Sequence, residues 1–317
     1  MKFQPYHQKI RHFFFLFCLV LSMCLFTACS SDVADSQESQ TAQEDSGRLQ
    51  IVATMFPQYD FARQIAGDKA DVTLLVDPGI EVHAYEPTAN DLLNVHEADC
   101  FFYMGAAMEP WTEKVVPDLT AEGVAAVDLS AEILTEEDLA ASHYDLHIWT
   151  DPNYAMIMVK EILAAMIEKD PANADYYTEQ ANLYLAELQE VDAAFQQVVA
   201  EGKRNLMVFA DRFPFYYFAK RYGLDYLAAY DSCAEESEPS MKQITELINV
   251  IKEEQIPVVY YEELTEPKVA TSISEETGAK AIQFHSCHNV SKEDFDAGIT
   301  YVDLMKRNVE ALQQGLN

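Results

Sequence analysis

The sequence is poor in positive charge. Its 317 residues include 21 lysines and arginines against 53 aspartates and glutamates. Three of the basic residues, Lys2, Lys9 and Arg11, precede the first acidic one, so the chain from residue 29 onward has a net charge of −35 from 18 basic and 53 acidic side chains. A surface of this sign disfavours nucleic acid and anionic lipid headgroups and suits a cationic ligand, although acidity also simply keeps extracellular proteins in solution.

The N-terminal apolar run is too short for a membrane span. Phe13 to Ala28 is uncharged but has 16 residues, whereas a spanning helix needs about 20. With basic residues ahead of it, the run predicts a signal peptide over residues 1–28. Cys29 stands where a lipoprotein signal peptidase would cleave and acylate, with Phe26 where Leu is usual. We therefore predict an extracytoplasmic protein that is lipid-anchored to the cell membrane at Cys29, with plain secretion as the alternative.

Cysteine is scarce beyond the lipidation site. Cys100 lies in the apolar run Cys100–Met104 and is expected to be a buried thiol. Cys233 and Cys287 lie in polar segments, and an extracytoplasmic compartment permits a disulfide. They are therefore the candidate pair, although sequence alone does not establish the bond.

Residues 29–48 have no apolar cluster and are predicted to be a flexible acidic linker after the lipidated cysteine. Beyond this linker, short apolar runs alternate with helical patterns, as in parallel sheets that are covered on both faces. We predict an α/β fold with two lobes of parallel β-sheet flanked by helices, at 49–170 and 203–317. The expected strands are Leu49–Thr54, Asp71–Val76, Cys100–Met104, Val124–Leu129, Asn205–Ala210, Asp225–Ala229, Ile256–Tyr261 and Ala279–Phe284.

Glycine and proline are absent from Asn173 to Glu201, between Pro171 and Gly202. Read as one helix, this segment would be roughly 40 Å long at about 1.5 Å per residue. We predict that residues 171–202 form one long rigid helix joining the lobes, with two shorter helices as the alternative.

Four candidate metal ligands occupy comparable places in the two halves. Asp211 and His285 directly follow predicted strands, and His83 lies in the loop after another. His147 precedes Asp151–Pro152, a sequence that favours the start of a helix. Because ligands of open α/β sheets bind beyond the carboxyl ends of the strands, we expect these four side chains to meet in a cleft between the lobes.

Three imidazoles and one carboxylate are a ligand set for zinc, whereas manganese sites use more oxygen, so manganese is the alternative. Because the imidazoles must be neutral, affinity should fall as the pH drops through the histidine range. Arg212 could instead engage Asp211 in an ordinary ion pair. Further candidates, as alternative ligands or as acceptors behind the ligands, are His143, His288, Glu81, Asp145 and Glu236.

From Ile51 to Asn317 the chain resembles the solute-binding lipoproteins of zinc and manganese ABC importers. The segments that carry the resemblance are Phe61–Asp68, Gly79–Thr88, His147–Pro152, Tyr217–Leu224, Glu238–Ser240 and Glu275–Ala279. The resemblance implies two lobes joined by one long helix, with the metal bound between them. His83 and His147 match the family's first two histidine ligands. Asp211 stands where the family has His or Glu, and His285 stands where Asp is common.

The resemblance also implies a function: capture of zinc outside the cytoplasmic membrane and delivery to an ABC permease, by a protein that is not an enzyme and that we expect to be a monomer. One alternative is a secreted zinc metalloenzyme, although the sequence contains no His-Glu-x-x-His motif. Another alternative is a surface adhesin in which the metal is structural.

Overall fold

A computed structural model describes residues 47–83, 85–135, 145–230 and 239–317. In these residues eight strands form two parallel four-stranded sheets. The first sheet contains β1 (Leu49–Ala53), β2 (Ala70–Leu74), β3 (Cys100–Tyr103) and β4 (Ala125–Asp128), in the order β2-β1-β3-β4. The second contains β5 (Leu206–Phe209), β6 (Asp225–Ala228), β7 (Val258–Tyr261) and β8 (Lys280–Gln283), in the order β6-β5-β7-β8. The predicted α/β fold with two parallel sheets is confirmed.

Helices connect the strands and cover the sheets. In chain order they are α1 (Phe56–Ala66), α2 (Ala89–His96), α3 (Gly105–Met108), α4 (Thr112–Glu122), α5 (Pro152–Lys169), α6 (Ala174–Glu201), α7 (Tyr216–Tyr222), α8 (Met241–Glu253), α9 (Lys268–Thr277), α10 (Lys292–Asp296) and α11 (Tyr301–Leu316). The start of α5 follows the sequence prediction. Pro152 is its first residue, and the Asp151 carboxylate accepts a hydrogen bond from the Asn153 backbone N–H at 2.8 Å.

Helix α6 is one continuous helix of 28 residues between the two sheets in sequence, so the single-helix prediction is confirmed. Its buried side chains recur every three or four residues, which is the spacing of one helical face. They are Tyr177, Ala181, Tyr184, Leu188, Val191, Phe195 and Val198. Leu183 lies off this face and is 57% exposed.

One hydrophobic core runs through both lobes. The same buried cluster contains Ile51 and Phe102 of the first sheet, Phe195 of α6, and Phe209 and Tyr260 of the second sheet. Because close-packed side chains resist rearrangement, this shared core restrains how the two sheets move relative to each other. The loops that follow the strands are therefore attached to a rigid core.

The predicted signal peptide, Cys29 and nearly all of the predicted linker lie outside the described residues. Within the described ranges, no helix combines the length and the hydropathy that crossing a membrane requires.

Candidate metal site

Three imidazole rings meet beyond the sheets. His83 lies in the loop after β2, His147 precedes a 3₁₀ turn at Ile148–Thr150, and His288 lies in the loop after β8. One ring nitrogen from each histidine lies within 4.8 Å of the other two. The ring centroids are 5.4 Å apart for His83 and His147, 4.6 Å for His83 and His288, and 4.9 Å for His147 and His288. Nitrogens bound to one tetrahedral zinc ion at ~2.0–2.1 Å would lie about 3.4 Å apart, so a small inward movement would suffice.

Asp145 sets the tautomer of His147. Its Oδ1 accepts hydrogen bonds from His147 Nδ1 at 2.6 Å and from the His147 backbone N–H at 2.8 Å. Burial opposes ionisation of Asp145, but the His147 ring and these N–H donors hold the pKa of the carboxyl below its usual value. An ionised carboxylate only accepts hydrogen bonds, so the proton of neutral His147 lies on Nδ1. Nε2 keeps its lone pair and is the nitrogen available to a metal.

His288 presents a buried nitrogen without a partner. Its side chain is 9% exposed, and Nε2 has no hydrogen-bond partner among the described residues. Burial, followed by the nearby rings of His147 and His83, lowers the pKa of His288 well below 6.5, so the ring is neutral. An unsatisfied buried polar group costs about 1–3 kcal/mol. A bound cation would satisfy this nitrogen.

Trp149 holds two of the histidines in place. Its ring lies 5.1 Å from the centroid of His147 and 5.1 Å from that of His288. Its Nε1–H donates to the Ser286 carbonyl at 2.8 Å, and the side chain is fully buried. The segment that carries His147 is thereby fixed to the loop that carries His288.

His83 is the exposed member of the cluster. Its backbone N–H donates to Glu81 Oε1 at 3.2 Å, which ties the loop locally. Although part of the residue remains exposed, desolvation of the ring and the neighbouring His147 lower the pKa of His83 to about 4. The exposed ring therefore offers a neutral ligand at the mouth of the site.

The histidines line a cavity of about 110 Å³ to which both lobes contribute. The first lobe contributes the loop Gly79–His83. The second contributes Arg212 and the loops after β7 and β8. The full lining is Gly79, Ile80, Glu81, Val82, His83, His147, Arg212, Glu262, Glu263, Leu264, Thr265, Ser286, His288 and Asn289.

Arg212 bridges two carboxylates in this cavity. Its Nη2 lies 3.4 Å from Glu81 Oε2, and its Nε lies 3.6 Å from Glu262 Oε2. Desolvation, and then the neighbouring Glu263, raise the pKa of Glu262 to about 8, against the opposing effect of Arg212. Even beside Arg212 this carboxyl is therefore largely protonated near neutral pH, and a closer cation would favour its ionised form.

The structure corrects two of the four predicted ligands. Among the described residues, the ligand atoms that meet belong to His83, His147 and His288, without Asp211 or His285. Asp211 Oδ2 accepts a hydrogen bond from the Glu262 backbone N–H at 3.2 Å, and its neighbour Arg212 pairs with Glu81 and Glu262. Asp211 therefore supports the loop that carries Glu262.

His285 has a structural environment. Its Nδ1 accepts a hydrogen bond from the Cys287 backbone N–H at 2.9 Å, and its own backbone N–H donates to Asn308 Oδ1 at 2.7 Å. Burial lowers the pKa of His285, so the ring is neutral and carries its proton on Nε2. Neither ring nitrogen then has a free lone pair for a metal.

Cys287, one member of the candidate disulfide pair, is a free thiol among the described residues. It is fully buried in the main hydrophobic core, which raises its pKa well above the usual value. Its partner candidate, Cys233, lies outside the described residues, as do His143 and Glu236. Cys100 is also a buried free thiol, as its apolar run predicted.

Sequence reasoning did not single out Glu262 as part of the site and treated Arg212 only as an ion-pair partner for Asp211. The signal for both was available, because Glu262 directly follows β7 and Arg212 lies shortly after β5. These positions obey the same rule of strand carboxyl ends that identified Asp211. His288 was considered only as an alternative to His285.

Comparison with known proteins identifies relatives. Residues 51–315 match the family described as zinc-uptake complex component A, periplasmic. The chain is 31% identical over 314 residues to the high-affinity zinc uptake system protein ZnuA of Bacillus subtilis (strain 168), and the match covers 95% of this chain and 97% of that protein. It is 29% identical over 311 residues to the zinc-binding lipoprotein AdcA of Streptococcus pneumoniae (strain ATCC BAA-255 / R6). That match covers 93% of this chain but 60% of AdcA, so the chain spans about three-fifths of AdcA's length.

The fold is shared with a zinc-bound structure. The crystal structure of the Zn(II)-bound ZnuA-like domain of Streptococcus pneumoniae AdcA superimposes with a TM-score of 0.75 at 31% sequence identity. The superposition covers 85% of this chain and 99% of that domain.

Proposed function

Because the chain belongs to the family of the periplasmic component A of zinc-uptake complexes, we propose that it captures zinc outside the cytoplasmic membrane and delivers it to an ABC-type metal importer. His83, His147 and His288 would bind the ion. One observation carries the proposal: three imidazole nitrogens lie within 4.8 Å of one another, and Nε2 of His288 is buried without a partner. Zinc is the transported substrate, and the family is a transport component, so the site binds rather than catalyses.

The ligand chemistry supports zinc over manganese. Imidazole nitrogens suit zinc, whereas manganese prefers oxygen donors. The ring of His147 is oriented by a carboxylate on its other nitrogen, which is the usual arrangement behind a metal-binding histidine.

The proposal extends to the cell surface. Cys29 would carry the lipid, residues 1–28 would be removed, and residues 29–48 would tether the folded lobes to the membrane. The sequence of residues 1–29 supports this, as does the similarity to AdcA, which is named a lipoprotein. One copy of the chain supplies all three imidazoles, so a monomer is sufficient to form the site.

The test uses the chain from residue 30 onward, which includes the whole compact unit Gly47–Asn317. The protein is stripped of metal and titrated with zinc and with manganese against a competing chelator. We expect one zinc per chain, a much weaker response to manganese, and loss of zinc binding in His83→Ala and His147→Ala. His96→Ala is the control, because His96 pairs with Glu122 away from the cluster. Unchanged zinc binding in both site variants would reject the proposal.

A further inference from the structure

We infer that Glu262 supplies a fourth protein ligand to the captured zinc ion, and that zinc displaces Arg212, the cation that lies beside this carboxyl group in the metal-free protein. The inference rests on the proposed zinc-capture role. Zinc bound by protein ligands is usually four-coordinate and tetrahedral, so three imidazoles leave one position to fill. The cavity wall that the histidines share offers three carboxylates for it, those of Glu81, Glu262 and Glu263. None of them belongs to the group of ligand atoms within 4.8 Å of one another, so the fourth ligand would have to turn its side chain toward the ion.

Existing contacts distinguish these carboxylates. Glu263 is occupied on both oxygens by Ser286, whose backbone N–H donates to Oε2 at 2.8 Å and whose hydroxyl donates to Oε1 at 2.5 Å. Glu81 accepts the His83 backbone N–H, and its side chain is 53% exposed. Binding zinc through Glu263 would break the Ser286 contacts, and binding it through Glu81 would fix a solvated side chain.

The Glu262 carboxylate, in contrast to those of Glu81 and Glu263, is both buried and weakly paired. It is 8% exposed, and its carboxylate faces Arg212 Nε at 3.6 Å, a separation too long for a good hydrogen bond. Its backbone is fixed at both polar groups, because its N–H donates to Asp211 Oδ2 and its carbonyl accepts from the Thr265 hydroxyl. The result is a carboxylate on a fixed backbone whose side chain is only loosely paired.

Charge complementarity explains the role of Arg212. A buried carboxylate requires a partner of opposite charge, because desolvation without one is costly. In the metal-free protein Arg212 lies beside the Glu262 carboxyl without offsetting its burial, and it also pairs with Glu81 on the opposite lobe. Zinc would replace it at Glu262, and Arg212 would retain Glu81. Among the described residues the buried Nε2 of His288 has no partner, which is consistent with a cation binding in the same cavity.

The experiment compares zinc affinities by chelator competition in the wild type, Glu262→Gln, Glu81→Gln and Arg212→Gln, all from residue 30 onward. Glutamine keeps the size of glutamate but removes the anionic ligand. We expect Glu262→Gln to weaken zinc binding by at least about tenfold, as large as typical losses from changes behind a metal ligand. Glu81→Gln should stay close to the wild type. Arg212→Gln should bind zinc more tightly, because a competing cation is gone.

Wild-type affinity in Glu262→Gln, or a larger loss in Glu81→Gln, would overturn the assignment of Glu262. Weaker binding in Arg212→Gln would overturn the inference that Arg212 competes with zinc for Glu262. A crystal structure of the zinc-loaded wild type gives an independent answer if a variant does not fold, since Glu262 either contacts the ion or does not. Failure of the wild type to bind zinc would reject the proposed function itself. Loss of binding in His83→Ala beside unchanged binding in Glu262→Gln would reject the present inference alone.

Discussion

Asp145 joins the ring of His147 to the second lobe. One carboxylate oxygen accepts the Nδ1 proton of His147 at 2.6 Å, and the other accepts the backbone N–H of Tyr216, at the start of α7, at 3.0 Å. The same side chain therefore fixes which nitrogen of His147 is available to the metal and where the ring lies relative to the second sheet. A carboxylate behind a metal-binding imidazole also raises its basicity as a ligand.

Replacing Asp145 should weaken zinc binding without removing a ligand. In Asp145→Asn the negative charge is lost and the amide no longer imposes the Nδ1–H tautomer. We expect zinc affinity to fall by about 10–100-fold, the range typical of such changes. Chelator competition measures the loss.

The control is Glu122→Gln. Glu122 makes the same contact with a different histidine, Oε2 to His96 Nδ1 at 2.6 Å, away from the cavity. This variant should bind zinc as the wild type does. Equal affinities for Asp145→Asn and the wild type would show that Asp145 does not act through His147.

Substitution of His288 should weaken zinc binding, whereas substitution of His285 should lower stability. His288→Ala should lose zinc affinity by at least about tenfold, since an imidazole ligand is removed. The stability of its metal-free form should change little, because the side chain carries an unsatisfied buried nitrogen. His285→Ala should instead lower the free energy of unfolding by about 1–3 kcal/mol, because the Cys287 N–H would lose its acceptor.

Zinc titration of both variants measures their affinity, and urea unfolding of the metal-free variants measures their stability. If His285→Ala lost zinc binding while His288→Ala kept it, His285 would be the ligand, as the sequence predicted, and the assignment of His288 would be wrong.

The fold could be predicted because its central strands β1, β3, β5 and β7 are largely buried on both faces. Parallel strands of this kind appear as continuous apolar runs, and all eight runs became strands within one or two residues at each end. The long helix could also be predicted from the sequence, because no glycine or proline lies between Asn173 and Glu201.

Only part of the metal site could be predicted from the sequence. The sequence places His285 and His288 in one loop, but which ring enters the cavity depends on contacts that only the folded chain makes. Asn308, on α11, captures both the backbone N–H and the carbonyl of His285. Cys287 adopts a φ of 61°, a conformation that non-glycine residues rarely take and that sequence patterns do not reveal. Together these contacts turn His288 toward His83 and His147.

The stability that neutral His83 and His288 contribute to the metal-free protein should be lost as the pH falls from about 6.5 to about 4. Unfolded histidine binds a proton near pH 6.5. In the folded protein the pKa of His83 is lowered to about 4, and that of His288 lies well below 6.5. Across this window the unfolded state takes up protons at these two histidines that the native state does not, so their contribution to stability rises with pH. Buried carboxyls with a raised pKa, such as Glu262, contribute with the opposite sign.

Urea midpoints of the metal-free protein between pH 7.5 and 5 measure this dependence. His288→Ala should gain stability relative to the wild type as the pH falls, because one histidine with a lowered pKa is absent. Parallel pH profiles of the two proteins would contradict the neutral, desolvated state of His288.

Asp60 should be a principal anchor of the shared core. Its side chain is fully buried, and Oδ2 accepts hydrogen bonds from the Tyr184 hydroxyl of α6 and the Tyr301 backbone N–H of α11, each at 2.8 Å. Oδ1 accepts from Arg63 Nε at 2.7 Å. Asp60→Ala leaves these donors without their acceptor, and losing one partner of a buried charged pair costs about 3–5 kcal/mol. Urea unfolding of the metal-free protein measures the loss.

Asp68→Ala is the matched control, because Asp68 lies just after the same helix and pairs with Lys69 at the surface at 3.2 Å. Exposed ion pairs contribute about 0–1 kcal/mol, so this variant should unfold close to the wild type. Asp60→Asn should fall between the two, because its amide oxygen still accepts hydrogen bonds while the charge facing Arg63 is lost. If Asp60→Ala were no less stable than Asp68→Ala, the buried carboxylate would not be what joins α1, α6 and α11, and the apolar core alone would hold the lobes together.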